Sequence, residues 1–298
     1  MTDCLPPYLR EALTRHYGAQ LDRILAGYEA GRKVTLRINP LLGAREEVLD
    51  ALRERGIRWE PVSWYADALI LPDTRERELE ELSIYQDGKI YLQNLSAMIP
   101  ALLVRASEGQ AVLDLCAAPG GKSTQLAALH GERIDLTLCE RDAVRAERLR
   151  FNVKRQGVRR AVVMQTDGRQ LDPLFRFDAV LLDAPCTGSG TIRFDEPPRR
   201  MEPAWVQKTV RTQKALLRKA WEVLKPGGSL VYSTCSILPE ENEEAARTLL
   251  SQGAELVPVP PEICSAVPQL PCSLLGALCV CPDEIHEGFF VCAMRKPR

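Results

Sequence analysis

Two cysteines at the ends of two similar apolar segments are the residues of this sequence best suited to chemistry. Residues 177–190 read FDAVLLDAPCTGSG, a buried-strand pattern that leads into Asp183 and Cys186. Residues 228–235 have the same layout and end in Cys235. Ligands of open parallel sheets bind beyond the carboxyl ends of the strands, so both thiols are candidates for a reaction centre. For residues 177–190 alone, a buried structural cysteine beside a helix-capping aspartate fits equally well, and the second segment with the same layout favours chemistry.

A glycine turn follows another apolar segment and predicts a nucleotide-type pocket. Residues 111–124 read AVLDLCAAPGGKST, a strand, a tight turn and the start of a helix. The motif is neither a Walker A loop nor GxGxxG, because Cys116 stands where the first P-loop glycine would be. The pattern therefore disfavours a bound triphosphate.

Acids end three successive predicted strands, at Asp114, Glu140 and Asp167. An acid at the tip of the second strand is where the hydroxyls of a ribose are usually held, although Glu140 also fits a helix cap. Three acids along one rim predict an adenosine-containing cofactor without a polyphosphate.

The chain as a whole fits a globular α/β protein. Its 298 residues are 45% hydrophobic and 27% charged, which allows one large domain and one smaller domain. The apolar runs are shorter than the ~18 residues of a membrane span and the first residues lack a signal-peptide core, so we expect a cytoplasmic protein. The chain has ten cysteines, and the position of Cys116, Cys139 and Cys235 in or at the end of apparent strands predicts reduced thiols. Cys272, Cys279 and Cys281 fit no usual zinc ligand set, and we expect no metal.

The order of helix and strand patterns divides the chain in two. Residues 1–30 have helical spacing, and a β-α-β pattern over about residues 25–75 indicates a small α/β module. We predict an N-terminal RNA-binding module over residues 1–83 and a catalytic domain over residues 84–298. Because no low-complexity linker separates them, the two are expected to pack together.

A formal net charge of −1 hides strongly basic stretches at residues 141–160 and 193–219. These stretches are compatible with phosphate binding, and the residues proposed for salt-dependent RNA binding are Arg145, Arg148, Arg199 and Arg200. In the small module, Arg32, Lys33 and Arg37 fit either phosphate contacts or ordinary solvated surface.

Taken together, these motifs resemble the RsmB/NOP/Sun family of S-adenosylmethionine-dependent RNA cytosine-5 methyltransferases. The resemblance runs from about Gly88 to Met294. The matching segments are IYLQNLSAM, DLCAAPGGKST, Glu140, Asp167, DAPCTGSG, LKPGGSLVYSTCS with PEENE, and GFF, with Arg-Ile-Asn-Pro at 37–40 in the small module. One departure is Glu287, where the family has aspartate.

The resemblance implies a Rossmann-like class I methyltransferase fold, with a seven-stranded sheet whose last strand is antiparallel. The strand ending at Asp183 would lie between the strands ending near Cys116 and at Cys235. Implied cofactor-binding residues are Cys116, Ala117, Ala118, Pro119, Gly120, Gly121, Lys122, Glu140, Arg145, Asp167 and Asp183.

The resemblance also assigns catalytic roles that the residues alone leave open. It implies that Cys235 attacks carbon 6 of cytosine and that Cys186 assists product release. DNA cytosine-5 enzymes instead use a cysteine after proline, the position of Cys186. Asp183 would hydrogen-bond or protonate the edge of the base, and Lys122 would orient the base or lower the pKa of a thiol. The base must be single-stranded or flipped out.

The expected partner is RNA, with ribosomal RNA favoured and transfer RNA as the alternative, and the protein is expected to act as a monomer. Two other readings stay open at this point. An amino-group methyltransferase would usually carry an Asp/Asn-Pro-Pro-aromatic box where this sequence has DAPC. A non-catalytic RNA-binding assembly factor would have little reason to keep both thiols.

Overall fold

The computed structural model describes residues 5–196 and 200–298. Its helices are α1 (Pro7–Tyr17), α2 (Leu21–Glu29), α3 (Arg45–Glu54), α4 (Glu76–Glu80), α5 (Ser83–Gln86), α6 (Leu95–Leu103), α7 (Gly121–His130), α8 (Ala143–Arg155), α9 (Pro203–Val223), α10 (Glu243–Leu250) and α11 (Pro261–Ala266). Its strands are β1 (Val34–Ile38), β2 (Glu60–Pro61), β3 (Ala68–Leu71), β4 (Ile90–Leu92), β5 (Ala111–Asp114), β6 (Asp135–Glu140), β7 (Ala161–Gln165), β8 (Phe177–Asp183), β9 (Leu224–Thr234), β10 (Glu255–Val257), β11 (Leu278–Val280) and β12 (Phe289–Arg295).

The larger sheet has the order β10-β12-β9-β8-β5-β6-β7, and β11 pairs with β12. Strands β5 to β9 run parallel, and β12 runs antiparallel to β9. This is the predicted Rossmann-like α/β architecture, with β8 between β5 and β9. The sheet has eight strands instead of the expected seven, because Leu278–Val280 forms an additional short strand.

Strand β8 is central because its apolar residues are covered on both faces. Val180 and Leu182 pack into one hydrophobic cluster, and Ala179 and Leu181 pack into the cluster on the opposite face. All four are fully buried. Since side chains alternate along a strand, a continuous apolar run is what a doubly covered parallel strand requires.

The smaller sheet is antiparallel, with the order β2-β3-β1-β4. Its apolar face packs on α3, where Val48, Leu49 and Leu52 are buried. The fourth strand, Ile90–Leu92, lies beyond residue 83 in the sequence, and the proposed boundary between residues 83 and 84 stays a prediction.

The first two helices pack against the larger sheet. Leu9, Leu13 and Ile24 belong to the same buried cluster as Val180 of β8. The α2 helix also contacts the segment that follows Cys186, because the hydroxyl of Tyr28 donates a hydrogen bond to the Ser189 carbonyl over 2.5 Å. No helix within the described ranges has both the length and the apolar character needed to cross a membrane.

Candidate active site

The two predicted thiols lie side by side at the carboxyl ends of neighbouring strands. Strands β8 and β9 are parallel and in register, with Asp183 opposite Ser233. Cys186 and Cys235 follow these two strand ends, and their Sγ atoms are 3.0 Å apart. Both side chains are partly exposed. The structure therefore brings together the two residues that the sequence separates by 49 positions.

Asp183 and Lys122 form an ion pair beside the thiols. Lys122 Nζ lies 2.7 Å from Asp183 Oδ2, and the hydroxyl of Ser233 donates to Asp183 Oδ1 over 2.7 Å. The ammonium of Lys122 also lies 5.5 Å from the centre of the Phe289 ring. Burial alone would lower the pKa of Lys122, but the charge of Asp183 and the hydrogen bond to it outweigh burial and raise this pKa. Lys122 is thus a positive charge held next to the thiols.

The buried carboxylate of Glu241 organises the two segments that carry the thiols. It accepts hydrogen bonds from the Thr187 backbone N–H (2.9 Å) and hydroxyl (2.5 Å), from the Ser236 hydroxyl (2.5 Å) and from Gln213 Nε2 (3.0 Å). Thr187 follows Cys186 and Ser236 follows Cys235, so one side chain ties both thiol segments together. Glu241 belongs to the PEENE segment that resembles the family, but the sequence alone predicts no role for this residue.

The environment of Cys186 keeps its thiol protonated. Its hydrogen bond with Cys235, followed by its burial, raises the pKa of Cys186 well above the ordinary value. A protonated Cys186 can donate to the sulfur of Cys235. This arrangement is compatible with Cys235 as the nucleophile.

A cavity of about 240 Å³ opens between the acidic strand ends and the thiols. It is formed by residues after β5, β6, β7 and β8 and by α9. Its lining includes Leu115, Cys116, Ala118, Glu140, Arg145, Asp167, Gly168, Asp183, Cys186, Leu216 and Cys235. The combination of carboxylates with apolar side chains suits the hydroxyls and the base of an adenosine. The predicted cofactor therefore fits the residues present.

The acids of this rim are paired with arginines. Glu140 is 4% exposed and lies 3.4 Å from Arg145 Nη2, while its other oxygen accepts from the Asp142 N–H. Asp142 is the N-cap of α8. Glu140 therefore supports the start of that helix through Asp142, and does not cap the helix itself as the alternative interpretation had it. Asp167 accepts from Arg169 Nε (2.9 Å) and Nη2 (2.5 Å), and this hydrogen bonding lowers the pKa of Asp167.

Asp114 is placed differently from the other two acids. It is 1% exposed, and its Oδ2 accepts a hydrogen bond from the Ser123 hydroxyl over 2.6 Å. Burial raises the pKa of Asp114 to about 6, against the effect of that hydrogen bond. Asp114 thus stabilises the glycine turn through its hydrogen bond with Ser123. It does not line the first cavity.

The predicted cofactor loop divides between two cavities. Ala117, Ala118, Pro119, Gly121 and Lys122 line a second cavity of about 210 Å³, together with Tyr91, Gln93 and Asp183. Cys116 and Ala118 border both cavities. Gly120 is the N-cap of α7 and has a φ of 109°, a backbone conformation that favours glycine.

The prediction for Arg37 is wrong in both of its forms. Its side chain is fully buried, so it is neither a solvated charge nor a surface phosphate ligand. Arg37 donates to Gln93 Oε1 (3.0 Å), to the Gly121 carbonyl (3.2 Å) and to the Thr124 hydroxyl (2.6 Å). It thereby joins β1 of the small sheet to the start of α7, next to Lys122.

The other basic candidates and the C-terminal cysteines are distributed as follows. Arg32 is largely buried and lies 3.2 Å from Glu287, whereas Lys33 pairs with Glu284 at 2.8 Å. Arg148 and Arg200 are exposed, and Arg199 lies outside the described residues. Cys279 and Cys281 are buried and Cys272 is partly buried, all as free thiols.

Comparisons with known proteins agree with this architecture. Residues 101–295 match the family described as 16S rRNA methyltransferase RsmB/F, and residues 5–76 match the ferredoxin-like domain of RsmF/B-like methyltransferases. Ribosomal RNA small subunit methyltransferase F of Vibrio atlanticus is 37% identical over 88% of this chain and 57% of its own length. The Serratia proteamaculans protein of the same name is 34% identical over 98% and 63%, respectively. The chain thus spans about three fifths of the length of these relatives.

Solved structures show the same fold. A methyltransferase homolog protein from Pyrococcus horikoshii has a TM-score of 0.83 and 29% identity, covering 98% of this chain and all of that chain. NSun6 from Pyrococcus horikoshii, solved with SFG, has a TM-score of 0.88 at 22% identity and covers both chains fully. With its catalytic-domain match covering residues 101–295, the chain belongs to the RsmB/F family of methyltransferases.

Proposed function

We propose that the protein is an S-adenosylmethionine-dependent RNA cytosine-5 methyltransferase, with ribosomal RNA as its substrate. The observation that carries the proposal is the pair of thiols 3.0 Å apart at two adjacent strand ends, next to the Lys122–Asp183 ion pair. The two curated relatives described above are both named as ribosomal RNA small subunit methyltransferases.

S-adenosylmethionine, when bound, supplies an electrophilic methyl group. We assign its binding to the cavity bordered by Glu140, Asp167 and Asp183, with the backbone from Cys116 to Ala118 as one wall. Glu140 is suited to hydrogen bonds from ribose hydroxyls because its carboxylate is held at the edge of the cavity by Arg145 and Asp142.

Carbon 5 of cytosine is a poor nucleophile, and the addition of a thiolate to the ring makes it more nucleophilic. The Cys235 thiolate forms a bond to carbon 6, which places an electron pair on carbon 5 as part of an enamine. Carbon 5 then accepts the methyl group. Loss of the carbon-5 proton to a base restores the double bond and expels the Cys235 sulfur with the electrons of its bond. Cys186 assists this release.

Asp183 and Lys122 orient the base and balance charge during the addition. Asp183 hydrogen-bonds the edge of the cytosine, and the positive charge of Lys122 favours a nearby thiolate. Both groups are already fixed before substrate arrives, by each other and by Ser233. Such preorganisation is the main source of electrostatic catalysis in buried sites.

The choice of RNA and the cellular location are also part of the proposal. Transfer RNA is the alternative substrate. A reducing compartment such as the cytoplasm is consistent with the free state of every cysteine among the described residues.

The test is to replace each thiol and look for RNA bound covalently to the protein. Cys235→Ala should be inactive and form no adduct, with cofactor binding retained, because it lacks the attacking sulfur. Cys186→Ala should attack but release slowly, so a protein–RNA species should survive denaturing electrophoresis. The species should disappear in the double variant Cys186→Ala/Cys235→Ala.

The opposite pattern, with an adduct in Cys235→Ala and none in Cys186→Ala, would exchange the two roles. If no variant forms an adduct and RNA incubated with the wild type gains no 5-methylcytosine by bisulfite sequencing, a non-catalytic assembly factor becomes the better description.

A further inference from the structure

A group of exposed and half-buried rings lies at the junction of the small sheet and α8. The guanidinium carbon of Arg155 is 4.5 Å from the centre of the Tyr85 ring and 5.6 Å from that of Phe151. Phe151 is 61% exposed, although a large aromatic side chain gains most from burial. We call Tyr85, Phe151 and Arg155 the aromatic platform. Its two rings come from separate elements, α5 and α8.

The backbone beneath the platform is held in place by close packing and hydrogen bonds. Gly88 has a φ of 75°, and a Cβ atom at Gly88 would lie only 2.1 Å from the Arg155 carbonyl oxygen. Gln156 Nε2 donates to the Gly88 carbonyl over 3.0 Å, and Asn39 Nδ2 donates to both the Gly88 and Gln156 carbonyls over 3.0 Å. Both halves of the platform are therefore fixed before any ligand arrives.

The surroundings of the platform favour an anionic partner. Arg148 and Lys154 are exposed and lie one helical turn to either side of Phe151, on the same face of α8. Arg150, by contrast, is paired with Glu147 at 2.5 Å. Nε of Arg155 has no hydrogen-bond acceptor among the described residues, so the guanidinium is held there by ring faces.

The platform adjoins the strand that carries Tyr91. Gln156, the residue after Arg155, donates from Nε2 to the Ile90 carbonyl over 3.3 Å, and Tyr91 follows Ile90. The guanidinium carbon of Arg37 lies 5.0 Å from the centre of the Tyr91 ring. Tyr91 and Lys122 line the second cavity, which also borders Asp183. A strand of RNA lying on the platform would thus have a base-sized cavity beside it that leads to the reaction centre.

We propose that the aromatic platform stacks an unpaired base of the substrate RNA, next to the target cytosine in the single strand. The inference rests on the proposed function and adds a specific contact to it. Exposed aromatic faces with flanking Arg and Lys are the usual means of holding single-stranded nucleic acid, because every base offers a π-face and every phosphate a charge. In a duplex the base faces are covered by their neighbours, so the platform selects unpaired RNA.

The test measures binding of a fluorescent single-stranded RNA oligonucleotide of mixed sequence, and of the same sequence annealed to its complement. Phe151→Ala should weaken single-strand binding by about 5-fold to about 100-fold, the range for losing one stacked base. Phe151→Trp should bind at least as well as the wild type, whereas Phe151→Leu should bind as weakly as Phe151→Ala. Binding of the duplex should change less than twofold in all three variants.

Leu174→Ala is the matched control, because Leu174 is 82% exposed and precedes β8, at the opposite edge of the sheet from the strand carboxyl ends. It should bind both RNAs as the wild type does. Calorimetric titration with S-adenosylmethionine should give unchanged affinity for Phe151→Ala, which shows that the variant is folded.

The stacking proposal is overturned if Phe151→Ala binds the single strand as tightly as the wild type does, or if Phe151→Leu does so. If Cys186→Ala still forms its adduct with RNA in that case, the methyltransferase proposal stands alone. A wild type that binds S-adenosylmethionine but neither RNA probe overturns the platform, and the exposed ring would then suit a protein partner. The methyltransferase proposal is overturned separately, by the absence of both an RNA adduct and 5-methylcytosine.

Discussion

The two walls of the candidate site are stabilised in different ways. On the thiol side, the fully buried Glu241 accepts hydrogen bonds from three separate segments of the chain, which carry Thr187, Gln213 and Ser236. On the cofactor rim, Glu140 and Asp167 pair with arginines whose side chains are 53% and 39% exposed. Buried networks are rigid and costly to break, whereas exposed ion pairs contribute little to stability. The reacting groups are thus preorganised, and the binding groups can change partner when a ligand enters.

Removing the centre of the buried network should produce the largest effect. Glu241→Ala removes the acceptor for the N–H and hydroxyl of Thr187 and for the hydroxyl of Ser236, whereas the Gln213 amide keeps its hydrogen bond to the Pro185 carbonyl. We expect a loss of about 4 kcal/mol in the free energy of unfolding, since each stranded buried donor costs roughly 1–3 kcal/mol. Urea denaturation measures this loss.

Glu241→Gln is the matched control, because its amide oxygen can still accept two of these hydrogen bonds. It should lose less than half as much stability as Glu241→Ala. Equal losses in the two variants would mean that the side chain acts mainly by filling space.

Asp114 sharpens the comparison, because it is buried but lies on the cofactor side. Its pKa is about 6 in the folded protein and 3.8 for the free side chain. The folded state therefore holds this proton more tightly, and the contribution to stability is full below pH 4 and declines as the pH rises through 6. From the difference between the two pKa values, the decline is about 3 kcal/mol.

Asp114→Asn cannot titrate, so the difference in unfolding free energy between wild type and variant should change with pH between about 4 and 6. Ser123 and its hydroxyl are retained in the variant, which makes the comparison one of charge alone. A difference in unfolding free energy that stays constant from pH 4 to pH 7 would show that burial does not raise the pKa of Asp114.

Glu140→Ala should weaken S-adenosylmethionine binding by about 2 kcal/mol, the range for a hydrogen bond to a buried charged group. Isothermal titration calorimetry measures this directly. Unfolding stability should change less than cofactor affinity, because Glu140 faces the cavity and its main structural contact is the Asp142 N–H. Unchanged cofactor affinity would remove Glu140 from the binding site.

The smallest effect is expected for Arg169→Ala. Its ion pair with Asp167 is partly exposed and should contribute below about 1 kcal/mol to stability. If the rim is adaptable, the variant should bind S-adenosylmethionine at least as well as the wild type, because Asp167 is then available to the ligand. A stability loss as large as that of Glu241→Ala would show that the two walls are alike.

The sequence was sufficient for the features that depend on local pattern. The apolar run before Asp183 predicts a doubly covered strand, and the glycines of the loop after Cys116 predict a tight turn, because each signal lies within a few neighbouring residues. The family resemblance supplied the order of the strands, and with it the proximity of Cys186 and Cys235.

The features that escaped prediction depend on contacts between distant segments. A surface arginine and a buried arginine have the same local pattern, and Arg37 is buried only because Gln93 and Thr124 supply acceptors from elsewhere in the chain. Glu241 lies two residues after Pro239 and two residues before the start of α10, so its surroundings in the sequence resemble an ordinary helix start. Its role becomes visible only when Thr187 and Gln213 are placed around it.

The position of β12 determines when the larger sheet can be completed during synthesis of the chain. Although β12 is the last strand in sequence, it lies inside the sheet, between β9 and β10. The residue before it, Gly288, donates a backbone hydrogen bond to Gly190 of the Cys186 loop over 2.9 Å, and a Cβ at Gly190 would overlap the Gly288 carbonyl. A nascent chain that ends before Gly288 leaves one edge of β9 open and the Cys186 loop unsupported. We expect such truncated chains to aggregate and to form no RNA adduct, so the ability to react should appear only after β12 has been synthesised.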